Sequence, residues 1–285
     1  MEKFSSHRGS RSGATSTHFP PPAAARSPIL VRLRFSPHRD PSPPEYVADA
    51  DAVDGRIASM SELAGIVMER LTSEFEAARD PGRATGMAAY MRDQFPFLGL
   101  PSPIRRARAR AALAGLPAPD ADDLRAIALA CWSRPEREFQ QFACDHLAAH
   151  VRVPGPGFLD TVAELITTKS WWDTVDPLAT HVVAGLVTRH PLLTERMDEW
   201  SRVDNMWLVR TAILHQLHYG ELTDTSRLFG YCVAQAGHPD FFVRKAIGWA
   251  LRQYARTDPD AVRTFVAAHR EQLSPLSIRE AMKHL

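Results

Sequence analysis

Cysteine is scarce: Cys131, Cys144 and Cys232 are the only three. None sits in a CxxC spacing, and an odd number leaves one unpaired under any disulfide scheme, which argues against both a zinc ribbon and a secreted scaffold. A reducing cytosol is the simplest setting. Long hydrophobic runs are missing too. No apolar stretch approaches the roughly 18 to 20 residues of a membrane span, so the chain reads as soluble with no membrane partner. Charge of one sign is also missing: the net charge is +1, which gives no global signature of a nucleic-acid binder. Any affinity for DNA must come from positive charge gathered on one surface. Strand patterns, in which apolar and polar residues alternate, are absent over any useful length. Metal-ligand spacing is thin. The twelve histidines are dispersed, and His215-x-x-His218, the one close pair able to share a helix face, lacks acidic or cysteine companions. It reads as a surface pair rather than a metal site.

What is present divides near residue 57. Residues 1–57 are rich in Ser, Pro, Arg and Gly, with Pro20-Pro21-Pro22 and Pro41-Ser42-Pro43-Pro44 and no sustained hydrophobic period. They read as a disordered extension. Arginine and serine abound and acids are few up to Asp40, as in a targeting peptide, but the prolines break the amphipathic helix such a signal needs. A solvated basic tail is the better reading, and Met60 as the biological start stays an open alternative. Residues 58–285 are the folded part. Leu63, Ile66, Val67, Leu71 and Phe75 fall at helical spacing behind Ser61 as a cap. Helix then follows helix to Leu285, separated by short signals: Asp80-Pro81-Gly82, Pro117-Ala118-Pro119, Pro154-Gly155-Pro156-Gly157 and Gly237-His238-Pro239. With 45% hydrophobic residues over 285 positions, the chain can bury a substantial core.

The helices repeat. Val209-Arg210-Thr211-Ala212-Ile213 and Val243-Arg244-Lys245-Ala246-Ile247 share V-R-x-A-I, and each follows aromatic residues, Trp207 in one and Phe241-Phe242 in the other. The same step of about 34 residues back from Val209 reaches Val175 and Asp176. Gln141-Phe142-Ala143, in a helix expected over 136–150, is a weaker copy. Helix pairs at this period predict an all-α solenoid of HEAT-like repeats, whose units share a core and curve around a concave surface. Asp176, Arg210 and Arg244 then occupy equivalent positions and line one face. Arginines in such slots also make structural ion pairs between units, so both roles stay open. An aspartate in the arginine slot is harder to explain structurally.

The stretch Ser170-Trp171-Trp172-Asp173-Thr174-Val175-Asp176 concentrates two indoles and two carboxylates at a helix start. Ser170 and Asp173, three apart, fit a capping box, which makes Asp173 structural. Trp172 and Asp176, four apart, share a helix face and set a carboxylate beside an aromatic wall. A buried tryptophan pair with a solvated aspartate near the helix N-terminus, where the dipole favours negative charge, is the plainer reading.

From residue 87 to the end the sequence resembles the bacterial AlkD-type DNA alkylation repair proteins. The matching segments run in the family's order. They are Met87 to Gly99, Arg105-Arg106, Trp132, Glu136 to Leu147, Thr167 to Asp176, Asn205 to Leu217, Phe241 to Tyr254 and Leu273 to Ala281. The resemblance implies a monofunctional glycosylase that removes 3-methyladenine and 7-methylguanine from double-stranded DNA held in a cradle of HEAT-like repeats. No metal and no cofactor are expected, the setting expected is the bacterial cytosol close to the nucleoid, and the oligomeric state stays open with monomer as the default. The family's W-W-D-x-V-D motif assigns catalytic roles to Trp172 and Asp176, its second tryptophan falls on Trp249, and its arginine falls on Arg210. The family is also known for acting on the lesion while it stays in the duplex, through backbone and sugar contacts. The segment before Ser61 has no counterpart in that pattern.

The chemistry suits these residues. Ordinary glycoside hydrolysis uses two carboxylates, but a purine alkylated at N3 or N7 already carries positive charge and leaves as a neutral base. One carboxylate in a partly dry site is then enough to steady the oxocarbenium character of the deoxyribose and hold a water near C1′. Asp176 is assigned that role, with Trp172 and Trp249 offering π-faces to the developing cation. Arg210 is assigned to a backbone phosphate, and Arg244, Lys245 and Arg252 are weaker candidates for the same work. Arg105 and Arg106 open a basic run that forms a further phosphate-binding edge or simply a solvated helix face. Trp132, Trp171 and Trp200 belong to the core. Family members without the catalytic carboxylate resemble binders of DNA structure, so a non-catalytic HEAT-repeat protein binding distorted or branched DNA is the alternative. A protein-interaction solenoid is a third reading.

Overall fold

Ser61 opens the first helix as its N-cap, its hydroxyl oxygen accepting from the Ala64 amide. The structure, a computed structural model, describes residues 61–285. The readings for residues 1–57, and for Met60 as a start, lie outside these residues. The helices in chain order are α1 (Glu62–Ala77), α2 (Pro81–Tyr90), α3 (Ser102–Leu113), α4 (Ala121–Ser133), α5 (Arg137–Ala149), α6 (Phe158–Thr167) and α7 (Trp172–Pro177). After a π-helical segment Leu178–Val183 come α8 (Ala184–Arg189), α9 (Thr194–Trp200), α10 (Met206–Leu214), α11 (Thr225–Ala234), α12 (Phe241–Tyr254), α13 (Pro259–Ala268) and α14 (Pro275–Ala281). No strand occurs among the described residues.

Sequence signals start most of these helices. Asp80, Asp120, Asn205, Asp224, Asp240, Asp258 and Ser274 each accept from an amide of the first turn. Each such cap stabilises its helix by about 1 kcal/mol. Proline stands in the first turn of α2, α13 and α14, where its missing N–H costs nothing.

The fold is an α-solenoid, as expected. One layer runs α3, α5, α7, α10, α12, α14, each helix packed on the next, while α1 packs on α3, α4 on α5, and α6 on α4 and α10. Val175, Val209 and Val243 are fully buried at equivalent places in α7, α10 and α12, as are Ala212, Ile213, Ala246 and Ile247. The residues that follow those valines are Asp176, Arg210 and Arg244. Hydrogen bonds within the layer repeat the same step. Gln141 to Asp173 spans 32 residues, Arg137 to Asp173 36, Arg210 to Asp176 34, Arg210 to Phe242 32 and Ser277 to Arg244 33. A repeat read from four matching letters is thus also the spacing of the bonds that join neighbouring helices.

Candidate functional site

The helix that carries the candidate carboxylate is short, and its start differs from the expected one. No capping box forms at Ser170 and Asp173. Trp171 is the N-cap, in extended conformation and with no side-chain cap, and the Ser170 hydroxyl instead donates back to the Ile166 carbonyl at 2.7 Å. Asp173 is drawn away by a stronger partner, the fully buried guanidinium of Arg137, whose Nη2 lies 2.7 Å from its carboxylate. Arg137 also donates to the Thr174 hydroxyl and the Lys169 carbonyl, and lies 3.8 Å from the centre of the Phe95 ring. A buried cation left without its acid costs several kcal/mol, more than a helix cap returns. Asp173 is structural, by this route.

Three residues later Asp176 sits near the end of the same short helix. Pro177 supplies no N–H to the turn below it, the chain widens into the π-helical segment, and the Thr180 hydroxyl donates to the Asp176 carbonyl at 2.8 Å. Such segments add a residue to a turn and recur at functional sites. The Asp176 side chain is 15% exposed, and that of Arg210 is 4% exposed. Arg210 Nε and Nη2 reach the two carboxylate oxygens at 2.7 and 2.8 Å, and its Nη1 donates to the Phe242 carbonyl. Burial pushes the Asp176 carboxyl above its ordinary value; the hydrogen bonds and charge of Arg210 pull it down by less, and nearby Asp173 adds to the rise.

This changes the reading of Arg210. The expected phosphate contact does not fit a buried guanidinium engaged on all three nitrogens. Its position across from Asp176 makes it the carboxylate's counter-charge, because equivalent slots in successive units lie side by side on adjacent helices. Arg105 is corrected in the same way: it is buried and engaged by Gln141 and Asp145. Arg106 is exposed but donates to the same Asp145, whose carboxyl is held below its usual range: burial pushes it up, and the hydrogen bonds from both arginines outweigh that. Lys245 and Arg252, half-buried, share Glu280. Arg244 makes no side-chain hydrogen bond or ion pair among the described residues, and its Nε is buried without an acceptor.

The aromatic residues separate into two groups. Trp132 and Trp200 are core, and Trp132 donates to the carbonyls of Leu165 and Thr168. Trp171 is half-buried against Trp207 and Phe242. Trp172, half-buried one turn before Asp176, meets Tyr90 edge to face with ring centres 6.0 Å apart. Trp249 is half-buried on α12. Tyr90 was missed as a site residue, although it is 72% exposed and also walls a cavity of about 460 Å³ with Met87, Met91, Phe97 and Leu100. It is held there by the turn after α2, where Arg92 and Asp93 take φ of 57° and 56°. The amides of Leu98, Gly99 and Leu100, further along the same loop, donate to the buried Glu138 carboxylate at 3.0, 2.8 and 3.1 Å. No residue pattern announces that clamp.

The histidine pair also departs from expectation. His215 is buried, with Nδ1 2.7 Å from the Ala212 carbonyl, and His218 stacks on His181. Among the described residues no group of three or more His, Cys, Asp or Glu side chains is placed to hold a metal ion. The three cysteines are free and buried. No helix of the described residues is long and apolar enough to cross a membrane.

Comparison with known proteins adds what geometry alone does not give. No curated protein matches the chain. A solved structure described as a predicted DNA alkylation repair enzyme from Enterococcus faecalis is similar, at 31% identity and a TM-score of 0.66. The match covers 73% of this chain and 96% of that one. The model of the family described as DNA alkylation repair enzyme matches residues 71–285, which include every element of the site just described. The chain therefore belongs to the DNA alkylation repair enzyme family.

Proposed function

We propose that this protein excises alkylated purines of the 3-methyladenine and 7-methylguanine type from double-stranded DNA by hydrolysing the N-glycosidic bond. The observation that carries the reading is the setting of Asp176, a mostly buried carboxylate gripped at both oxygens by one buried arginine and one helical turn from Trp172. The leaving base is already cationic, so a single carboxylate suffices where ordinary glycosides need two. A carboxylate offers about four lone-pair directions, and the two that Arg210 occupies leave others for a water and for the sugar cation. Arg210 acts as a positioning residue: it keeps Asp176 ionised against the cost of burial and fixes its plane. Trp172 and Trp249 supply π-faces to the sugar, and Arg244, Lys245 and Arg252 attract phosphates. The chemistry calls for no metal and no cofactor.

The test is Asp176→Asn, with free 7-methylguanine measured after incubation with methylated duplex DNA and binding measured on a duplex with an abasic analogue. Release should fall about a hundredfold or more with binding largely kept; unchanged release defeats the assignment. One observation favours a second reading, a non-catalytic binder of distorted DNA: both Asp176 oxygens are already paired, as in a structural strut. That reading expects tight binding and no free base from the unsubstituted protein.

A further inference from the structure

The six residues of α7 have little of their own to keep them in place. A helix that short does not persist alone in water, and α7 has no side-chain cap at Trp171 and runs into Pro177 and the π-helical segment at its other end. Yet it carries both Trp172 and Asp176. Arg210 reaches its last turn from α10. Its first turn is gripped from α5, where residues 137, 141 and 144, at steps of four and three, share one face. Arg137 takes Asp173, the Thr174 hydroxyl and the Lys169 carbonyl. The Cys144 thiol lies 3.7 Å from the Thr174 carbonyl oxygen. Gln141 Nε2 donates to Asp173 Oδ2 at 2.9 Å.

Arg137 and Cys144 are buried and belong to the core, whereas Gln141 is half-buried and its amide works in two directions. Its Oε1 accepts from Arg105 Nη1 on α3, so one side chain of α5 bonds to the helix before it and the helix after it. Arg105 is fixed in turn by Asp145, 3.0 Å away. Glutamine suits both bonds: a carboxylate here has no hydrogen to give Asp173, and an ammonium has no lone pair for Arg105. Gln141 also walls the cavity formed with Met87, Tyr90 and Met91, and Tyr90 is the ring that meets Trp172. The amide thus fixes the residue that follows Trp172 and borders the ring packed against it.

We infer that Gln141 is a positioning residue for the proposed reaction: through Asp173 it fixes the first turn of α7, and with it the aim of Trp172 and Asp176 at the sugar. Arg210 sets the plane of the carboxylate from one end of the helix, and Gln141 sets the helix from the other. Small misplacements of reacting groups cost rate steeply. The inference rests on the glycosylase reading for its consequence, and on the contacts between α5 and α7 for its geometry.

The full chain is labelled with 5-fluorotryptophan, and the Trp172 fluorine signal is assigned as the one missing from Trp172→Phe. In Gln141→Leu, which keeps the bulk and loses both bonds, that signal should shift or broaden while those of Trp132 and Trp200 stay. The kcat for release of 7-methylguanine should fall about tenfold, with KM for methylated duplex within about twofold. The melting temperature should fall by no more than about 4 °C. Gln141→Glu, which keeps the bond to Arg105 but sets a second carboxylate against Asp173, should lose at least as much rate. A Trp172 signal unmoved in both variants, or an unchanged kcat, overturns the assignment. So does a loss of rate that comes with displaced Trp132 and Trp200 signals and a larger fall in melting temperature, which marks a general loss of packing. If the unsubstituted protein releases no base, the glycosylase reading fails instead, and the Trp172 signal alone decides whether Gln141 holds α7.

Discussion

Replacing Arg210 by Gln separates a counter-charge from a phosphate clamp. The Arg210 side chain is 4% exposed and that of Asp176 15%, and breaking a buried pair by removing one partner costs about 3 to 5 kcal/mol. The open edge of Asp176 and the hydrogen bonds that glutamine retains bring this to about 2 to 3 kcal/mol. At about 2 to 4 °C per kcal/mol for a domain of this size, the melting temperature should fall by about 5 to 10 °C. A second effect follows at the carboxyl. Burial already lifts it and Arg210 opposes the lift, so without Arg210 the folded-state pKa climbs further. Proposed catalysis needs the ionised form, and kcat/KM therefore rises with pH through that pKa. In Arg210→Gln the rising limb moves to higher pH than in the unsubstituted protein. Calorimetry, together with release of 7-methylguanine across a pH series, reads both effects. A variant with unchanged Tm and an unmoved limb, but weaker and less salt-dependent DNA binding, would show that Arg210 grips phosphate and would refute the ion-pair argument.

Acid should destabilise the fold through two histidines. Burial pulls His146 and His215 down from 6.5 to about 4. The unfolded chain takes up protons these rings refuse, so their contribution is fully present above about pH 6.5 and is lost as the pH falls toward 4. By pH 5 the loss is about 2 kcal/mol for each, visible as a lower urea midpoint than at pH 7; a flat midpoint would contradict it. Asp176, shifted upward, acts in the opposite sense. At the far end of the layer, a Cβ on Gly248 would lie 2.5 Å from Glu280 Cβ and 2.9 Å from the Ser277 carbonyl oxygen. Gly248→Ala should force α14 off α12 at a cost of about 1 to 3 kcal/mol, and an unshifted thermal melt would show that the two helices do not cross so closely.

The repeat and the helical class were legible in the sequence because apolar periodicity and the V-R-x-A-I match are local signals. Val175, Val209 and Val243 share one environment as their spacing required. The ionic partners were not legible. Ser170 and Asp173 have the letters of a capping box, yet Asp173 answers to Arg137, 36 residues away. The offset of 34 between Asp176 and Arg210 was visible in the letters, but whether equivalent slots touch depends on how closely the helices stack. The Glu138 clamp on the loop after α2 left no trace, since its donors are backbone amides, which every residue but proline has.

In many repeat proteins the units are nearly autonomous and stability grows by roughly equal increments along the array. Here Arg137 of one helix completes Asp173 of the next, and Arg210 completes Asp176 before it. Excising a unit would strand half of a desolvated pair on each side of the cut. The array should therefore melt in a single cooperative step, without partial fraying from its ends.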